Sequence, residues 1–164
     1  MLLDDSLRAA DLVAGYEGPL VDVGSGGGAP GIPLAHAFPD REVVLVEAEL
    51  RKCRFLEQWA PPNARVIWGR AEEQGTDWAG VALAKALALP PVAAEWCLPL
   101  VKPGGIAILW VGETADLDHA KRVAEQLAAE PVESPPGLLV LRKLAPTPPG
   151  FPRRTGVARK RPLA

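Results

Sequence analysis

Four glycines crowd five positions, Gly24 and Gly26 to Gly28, directly after the apolar–acidic run Leu20–Val23 in the segment LVDVGSGGGAPGIP. Glycine accepts positive φ and lets backbone come within contact distance of a ligand. A second β-branched run, Glu42–Val46, leads into an acid, Glu47, 23 residues after Gly24. An acid so placed can accept hydrogen bonds from both hydroxyls of a ribose, while the helix after the glycines offers its first N–H groups. This is the plan of a nucleoside-cofactor site at the carboxyl ends of parallel strands.

Gly24, Gly26 and Ala29 satisfy G-x-G-x-x-[GA], so a nicotinamide dinucleotide is compatible with the bend, although that pattern alone is weak. Two details favour S-adenosylmethionine. Asp22, two residues before the first glycine, would face a pyrophosphate unfavourably but could help hold a cationic aminoacyl sulfonium. And 164 residues leave no room for the substrate domain a dehydrogenase normally adds. Gly28 completes the bend that the cofactor would approach. In WGRAEE, after the third strand, the backbone of Ala71 and the carboxylate of Glu72 can read an adenine edge; a solvated helix start is the plainer reading of Glu72 and Glu73. Lys85, in ALAKALA, stands where substrate would meet the methyl group, though a lone lysine among apolar residues often only snorkels.

Strands are predicted at Leu20–Val23, Glu42–Val46, Arg65–Trp68, Val81–Ala84, Ile106–Val111 and Leu138–Arg142. Helices are predicted over Leu2–Ala14 (capped by Asp4 or Asp5), Pro30–Ala37, Leu50–Trp59, Pro91–Leu100 and Ala115–Ala129. The alternation implies a parallel α/β sheet. Pro131–Glu133 and Leu138–Arg142 lie too close for a crossover helix and should form an antiparallel hairpin at the sheet edge. Lys102–Gly105 reads as a turn, and PTPPGFPRR as extended. Five tryptophans are read as core or groove lining rather than base-stacking platforms.

The length suits one domain, residues 1–150, with a tail at 151–164. The net charge is −2, yet the tail holds five bases (Arg153, Arg154, Arg159, Lys160, Arg161) and no acid, leaving −7 on the rest. Such a tail suggests a polyanionic partner. No apolar run approaches a membrane span, and the N-terminal acids do not suit a signal peptide, so a cytoplasmic protein with reduced thiols at Cys53 and Cys97 is expected. With two histidines, no metal site is expected.

Together, DVGSGGGAPGIPLA, RAEE, EWCLPLVKPGG and FPRRTGVARKRPL resemble the glucose-inhibited division protein B family, the bacterial 16S rRNA guanine-N7 methyltransferases, over essentially the whole chain. The resemblance implies a Rossmann-like class I S-adenosylmethionine-dependent fold, mostly parallel with an antiparallel C-terminal hairpin. It implies that Gly24, Ala29, Ala71 and Glu72 contact the cofactor. It implies catalytic roles for Arg70 and for Lys85, which replaces an arginine of a Ser-Arg-Ala triplet and can also touch the cofactor. It makes the tail bases an RNA contact and the 16S rRNA or small ribosomal subunit the partner. The chain departs from the family in a shorter lead into the fold, in Lys85, and in Val111 where a lysine-glycine pair is common. The alternatives are a non-catalytic S-adenosylmethionine-binding module and an NAD-dependent oxidoreductase. N7 of guanine carries a lone pair and no proton, which suits a chain with no His–Asp or Cys–His constellation.

Overall fold

The computed structural model describes residues 2–163. Its strands are β1 (Leu20–Val23), β2 (Val43–Glu47), β3 (Ala64–Trp68), β4 (Ala79–Ala84), β5 (Val101–Trp110), β6 (Ala129–Pro131) and β7 (Leu138–Lys143). They form one sheet in the order β3-β2-β1-β4-β5-β7-β6. The first five are mutually parallel, and β7 runs antiparallel between β5 and β6. The α/β class and the antiparallel C-terminal strands match expectation.

Alternation along the strands sends side chains to two cores. Leu20, Leu45, Leu83 and Ile108 face α2 (Ala10–Ala14), α3 (Gly31–Ala37) and α4 (Leu50–Trp59) through Val13, Leu34 and Leu56. Val21, Val46, Ala82 and Leu109 face α5 (Pro90–Cys97) and α6 (Asp118–Gln126) through Ala94 and Val123. Strand order reverses between β1 and β4, so their carboxyl ends open a crevice between the loops that follow them.

Four local expectations need correction. The helix over Leu2–Ala14 is two helices, α1 (Leu2–Leu7) and α2, broken where Arg8 reaches the carbonyl of Pro136, and Asp5 binds Arg8 and Lys85 instead of capping. Lys102–Gly105 lies inside β5, because a register irregularity against β4 absorbs the glycines rather than ending the strand. The first hairpin strand is Ala129–Pro131, its proline tolerated because β6 is the edge. The tail does not simply run out extended: α7 (Val157–Lys160) packs on α5 and buries Ala158.

Lys143 anchors this region from inside. Its fully buried ammonium lies 2.7 and 2.9 Å from the Leu98 and Val101 carbonyls and 2.8 Å from the Thr147 hydroxyl, and pairs with the Asp77 carboxylate at 3.1 Å. Burial pulls the Lys143 pKa down, with Asp77 opposing.

Candidate functional site

A cleft of about 630 Å³ opens at the switch point. Its floor is the glycine bend. The N–H groups of Gly24 and Ser25 both donate to the Val46 carbonyl, at 2.8 and 3.1 Å, so the bend is tied to β2. Gly24, Gly26 and Gly28 have φ of +69°, +51° and +100°. A Cβ at Gly24 would lie 2.2 Å from Leu87, while one at Gly27 would meet nothing within 4 Å. The bend is thus filled behind and open in front.

Glu47 is 7% exposed and bonded twice: Oε1 accepts from Gly26 N–H at 3.0 Å, and Oε2 from Glu49 N–H at 2.8 Å. Each oxygen keeps a lone pair for a ligand, and the two bonds fix the carboxylate's direction. Ala29 lines the same cleft. A rigid acceptor pair beside an open glycine bend fits the ribose of a nucleoside.

Asp22 lies under the bend, and it is absent from the cleft wall. It is almost fully buried; Oδ2 accepts from Gly31 N–H at 3.0 Å and Oδ1 has no partner. Burial pushes its pKa up to about 7, the bonds from Gly31 and Ser25 opposing and nearby Glu47 adding to the rise. A Cβ at Gly31 would come 2.6 Å from that carboxylate, so glycine is needed for α3 to start here, a requirement the sequence reading passed over. Asp22, expected to help hold the cofactor, holds the start of α3 against β1 through this bond.

Ala71 begins a 3-10 turn, Ala71–Glu73, on the cleft's far wall. Glu72 accepts from Gly156 N–H at 3.0 Å and Glu73 from Thr155 at 3.2 Å, so neither is merely a solvated helix start. Arg70 is exposed at the rim, and its guanidinium has no carboxylate within ion-pair distance among the described residues. Lys85 reaches the cleft in an ion pair with Asp5 Oδ2 at 2.6 Å. That contact, opposed by partial burial and helped by Arg8, holds the Asp5 pKa below the usual carboxylate range. Ala86 beside it takes φ +52°, unusual without a glycine and costly by about 1 kcal/mol.

The basic tail is divided. Arg153 is bound by Glu95, which is 3% exposed, in a two-pronged pair, and donates to the Arg161 carbonyl as well. Arg159 stacks over Trp96 at 5.2 Å, and both line the cleft. Trp96 Nε1 is buried without a partner. Arg154, Lys160 and Arg161 are exposed. Sequence reasoning missed Asp5 and Glu95 because each meets its cation from a distant stretch of chain. It placed Arg159 on RNA without the cleft. Of the tryptophans, Trp96 lines the groove as expected, but Trp59 and Trp68 are 62% and 63% exposed.

Cys53 and Cys97 are free and buried, and burial pushes both thiols up. Among the described residues no His, Cys, Asp or Glu group could hold a metal, and no helix is long and apolar enough to cross a membrane.

Residues 1–135 match the family described as rRNA small subunit methyltransferase G. Proteins named ribosomal RNA small subunit methyltransferase G are similar along most of the chain. That of Rubrobacter xylanophilus is 36% identical, with 99% of this chain and 69% of the relative covered. That of a Synechococcus strain is 35% identical, with 97% and 72% covered. Among solved structures, the antibiotic-resistance methyltransferase Kmr superposes with a TM-score of 0.61 at 20% identity, covering 83% of this chain and 92% of its own. The T. thermophilus 16S rRNA N2 methyltransferase RsmC, solved with AdoMet and guanosine, superposes at 0.62 and 15% identity, covering 82% and 37%. These two likenesses are of fold.

Proposed function

The chain belongs to the rRNA small subunit methyltransferase G family, and from that premise we propose that it transfers the methyl group of S-adenosylmethionine to N7 of a guanine in 16S rRNA. The observation that carries the reading is the Glu47 carboxylate, locked by Gly26 and Glu49 beside a bend open at Gly27. S-adenosylmethionine, when bound, supplies a methyl group on a positively charged sulfur. Glu47 orients the ribose, the Ala71 backbone and Glu72 face the adenine, and Asp22 keeps the bend in place through Gly31.

The nucleophile is the N7 lone pair, so no residue has to remove a proton before attack. The protein's work is alignment and electrostatics. Arg70 stands at the rim and Lys85 lines the cleft with its ammonium buried against Asp5; they are the two bases placed to meet the guanine edge or a neighbouring phosphate. Lys85 presents a point charge rather than the planar fork of an arginine. Its pairing with Asp5 fixes where that charge sits. Arg154, Lys160 and Arg161 lie at the chain's other end, free for phosphates, in keeping with salt-dependent binding that carries little sequence information. The small ribosomal subunit is the proposed form of the acceptor, and the cytoplasm the proposed place.

Two measurements test this. Calorimetry should find tight binding of S-adenosylhomocysteine and none of NAD(H). Labelled methyl should enter small subunits that lack the modification, at a single guanine N7. Cofactor binding without transfer to subunits or naked RNA would leave a binding module; NAD(H) binding would overturn the reading.

A further inference from the structure

Seven large apolar side chains are exposed among the described residues, and four of them, Leu50, Phe55, Trp59 and Trp68, belong to α4 and β3. Cys53 and Leu56 already supply the buried side of α4, so Phe55 and Trp59 are surplus to the core. Their rings sit together, centroids 6.4 Å apart. Trp68 is tethered by its indole N–H to the Ala48 carbonyl at 2.9 Å, with most of the side chain in solvent. Arg51 and Arg54 are exposed on the same helix with no carboxylate at ion-pair distance among the described residues, whereas Lys52 is neutralised by Glu49 at 2.9 Å. Glu57 is the remaining acid of α4. The surface is continuous with the cleft: Glu49 and Lys52 line it from α4's start, and Gly69 and Arg70 line it just past Trp68.

We propose that α4 and the edge strand β3 form a docking track for a single-stranded stretch of the RNA substrate, bases stacking on Phe55, Trp59 and Trp68 and phosphates meeting Arg51 and Arg54. The proposal rests on the reading that the substrate is RNA, and names where that RNA runs as it leaves the cleft. Aromatic faces interleaved with uncompensated arginines suit unpaired nucleotides, because every base has a face to stack and every link a negative charge. A second copy of the chain fits less well, since each copy would bring two arginines without ion-pair partners to the contact and only Glu57 of the helix to answer them.

The test uses the full chain with two double variants, Phe55→Ala/Trp59→Ala and Arg51→Glu/Arg54→Glu, and Trp59→Phe as the conservative partner. Each should bind S-adenosylhomocysteine as the parent does, showing an intact cleft. KM for unmodified small subunits should rise about tenfold in each double variant with kcat within twofold, and Trp59→Phe should stay near the parent. A single-stranded RNA oligonucleotide should quench the parent's tryptophan fluorescence, less so with Phe55→Ala/Trp59→Ala. For Arg51→Glu/Arg54→Glu the salt dependence of that binding should flatten by 1 to 2 in slope, on the basis of about 0.7 per phosphate contact. Unchanged KM and unchanged quenching overturn the proposal. So does a raised KM without any RNA quenching, which assigns the patch to a protein of the subunit, or a change confined to self-association in sedimentation. If the parent transfers no methyl, the functional reading fails, while RNA quenching lost in the variants still upholds the track.

Discussion

Glu47 meets the fold with one set of lone pairs and the ligand with another. Glu47→Gln keeps one backbone acceptor and removes the charge, so affinity for S-adenosylhomocysteine should fall by about 10- to 100-fold, on the order of 1.5–3 kcal/mol, with little loss of melting temperature, as calorimetry and thermal scans can check. Asp22 makes the opposite kind of prediction. Its folded pKa, near 7, lies above the unfolded value of 3.8, so ionising it opposes folding. This group's contribution is most favourable below about pH 4, weakens as pH rises towards 7, and levels off above. Asp22→Asn keeps the Gly31 acceptor and removes the slope. Urea melts at pH 5, 6, 7 and 8 should show the variant gaining on the parent by on the order of 3 kcal/mol across the range; a pH-independent difference would contradict the burial account. The positions of both residues were legible in the sequence because glycine spacing and strand ends are local signals, but the bond from Gly31 that engages Asp22 was not. The pairing of Asp5 with Lys85 and of Arg159 with Trp96 in the cleft joins distant parts of the chain, which no local pattern announces.

Among the elements, α7 turns a basic tail into part of the domain. Arg153 supplies the countercharge for Glu95, and the Glu95 bond holds the Arg153 pKa up against partial burial. Arg153→Ala would strand a buried carboxylate, which costs about 3–5 kcal/mol when one partner of such a pair is removed. The expected outcome is a lower denaturation midpoint and faster trypsin cleavage between Arg154 and Arg161, with Glu95→Gln in the same chain recovering part of the loss. The strands β1 to β4 were readable from their apolar runs within two residues, whereas β5 starts at Val101, well before the expected Ile106. The β5 irregularity and the break between α1 and α2 were not, because glycines that look like a turn were absorbed by pairing with β4, and an apolar stripe at helical period does not show where Arg8 must leave it.

At the scale of the molecule, the sheet order places the cleft where the chain reverses, and that architecture followed from strand–helix alternation plus two strands too close for a crossover. Charge also separates at this scale, with exposed bases at 154, 160 and 161 on a chain of net −2. RNA affinity should therefore fall steeply between 50 and 200 mM salt while S-adenosylhomocysteine affinity changes little, a contrast that filter binding and calorimetry can record side by side. Asp5 and Arg159 stand more than a hundred residues apart in sequence, yet each serves the same cleft, one through Lys85 and the other over Trp96. During synthesis, a chain grown only as far as Gly150 has the floor and walls but lacks the flap that grips Glu72, Glu73 and Glu95. A chain cut after Gly150 would leave Glu72, Glu73 and Glu95 without those partners and take Arg159 from the cleft wall, so it should bind S-adenosylhomocysteine more weakly than the full chain in calorimetry.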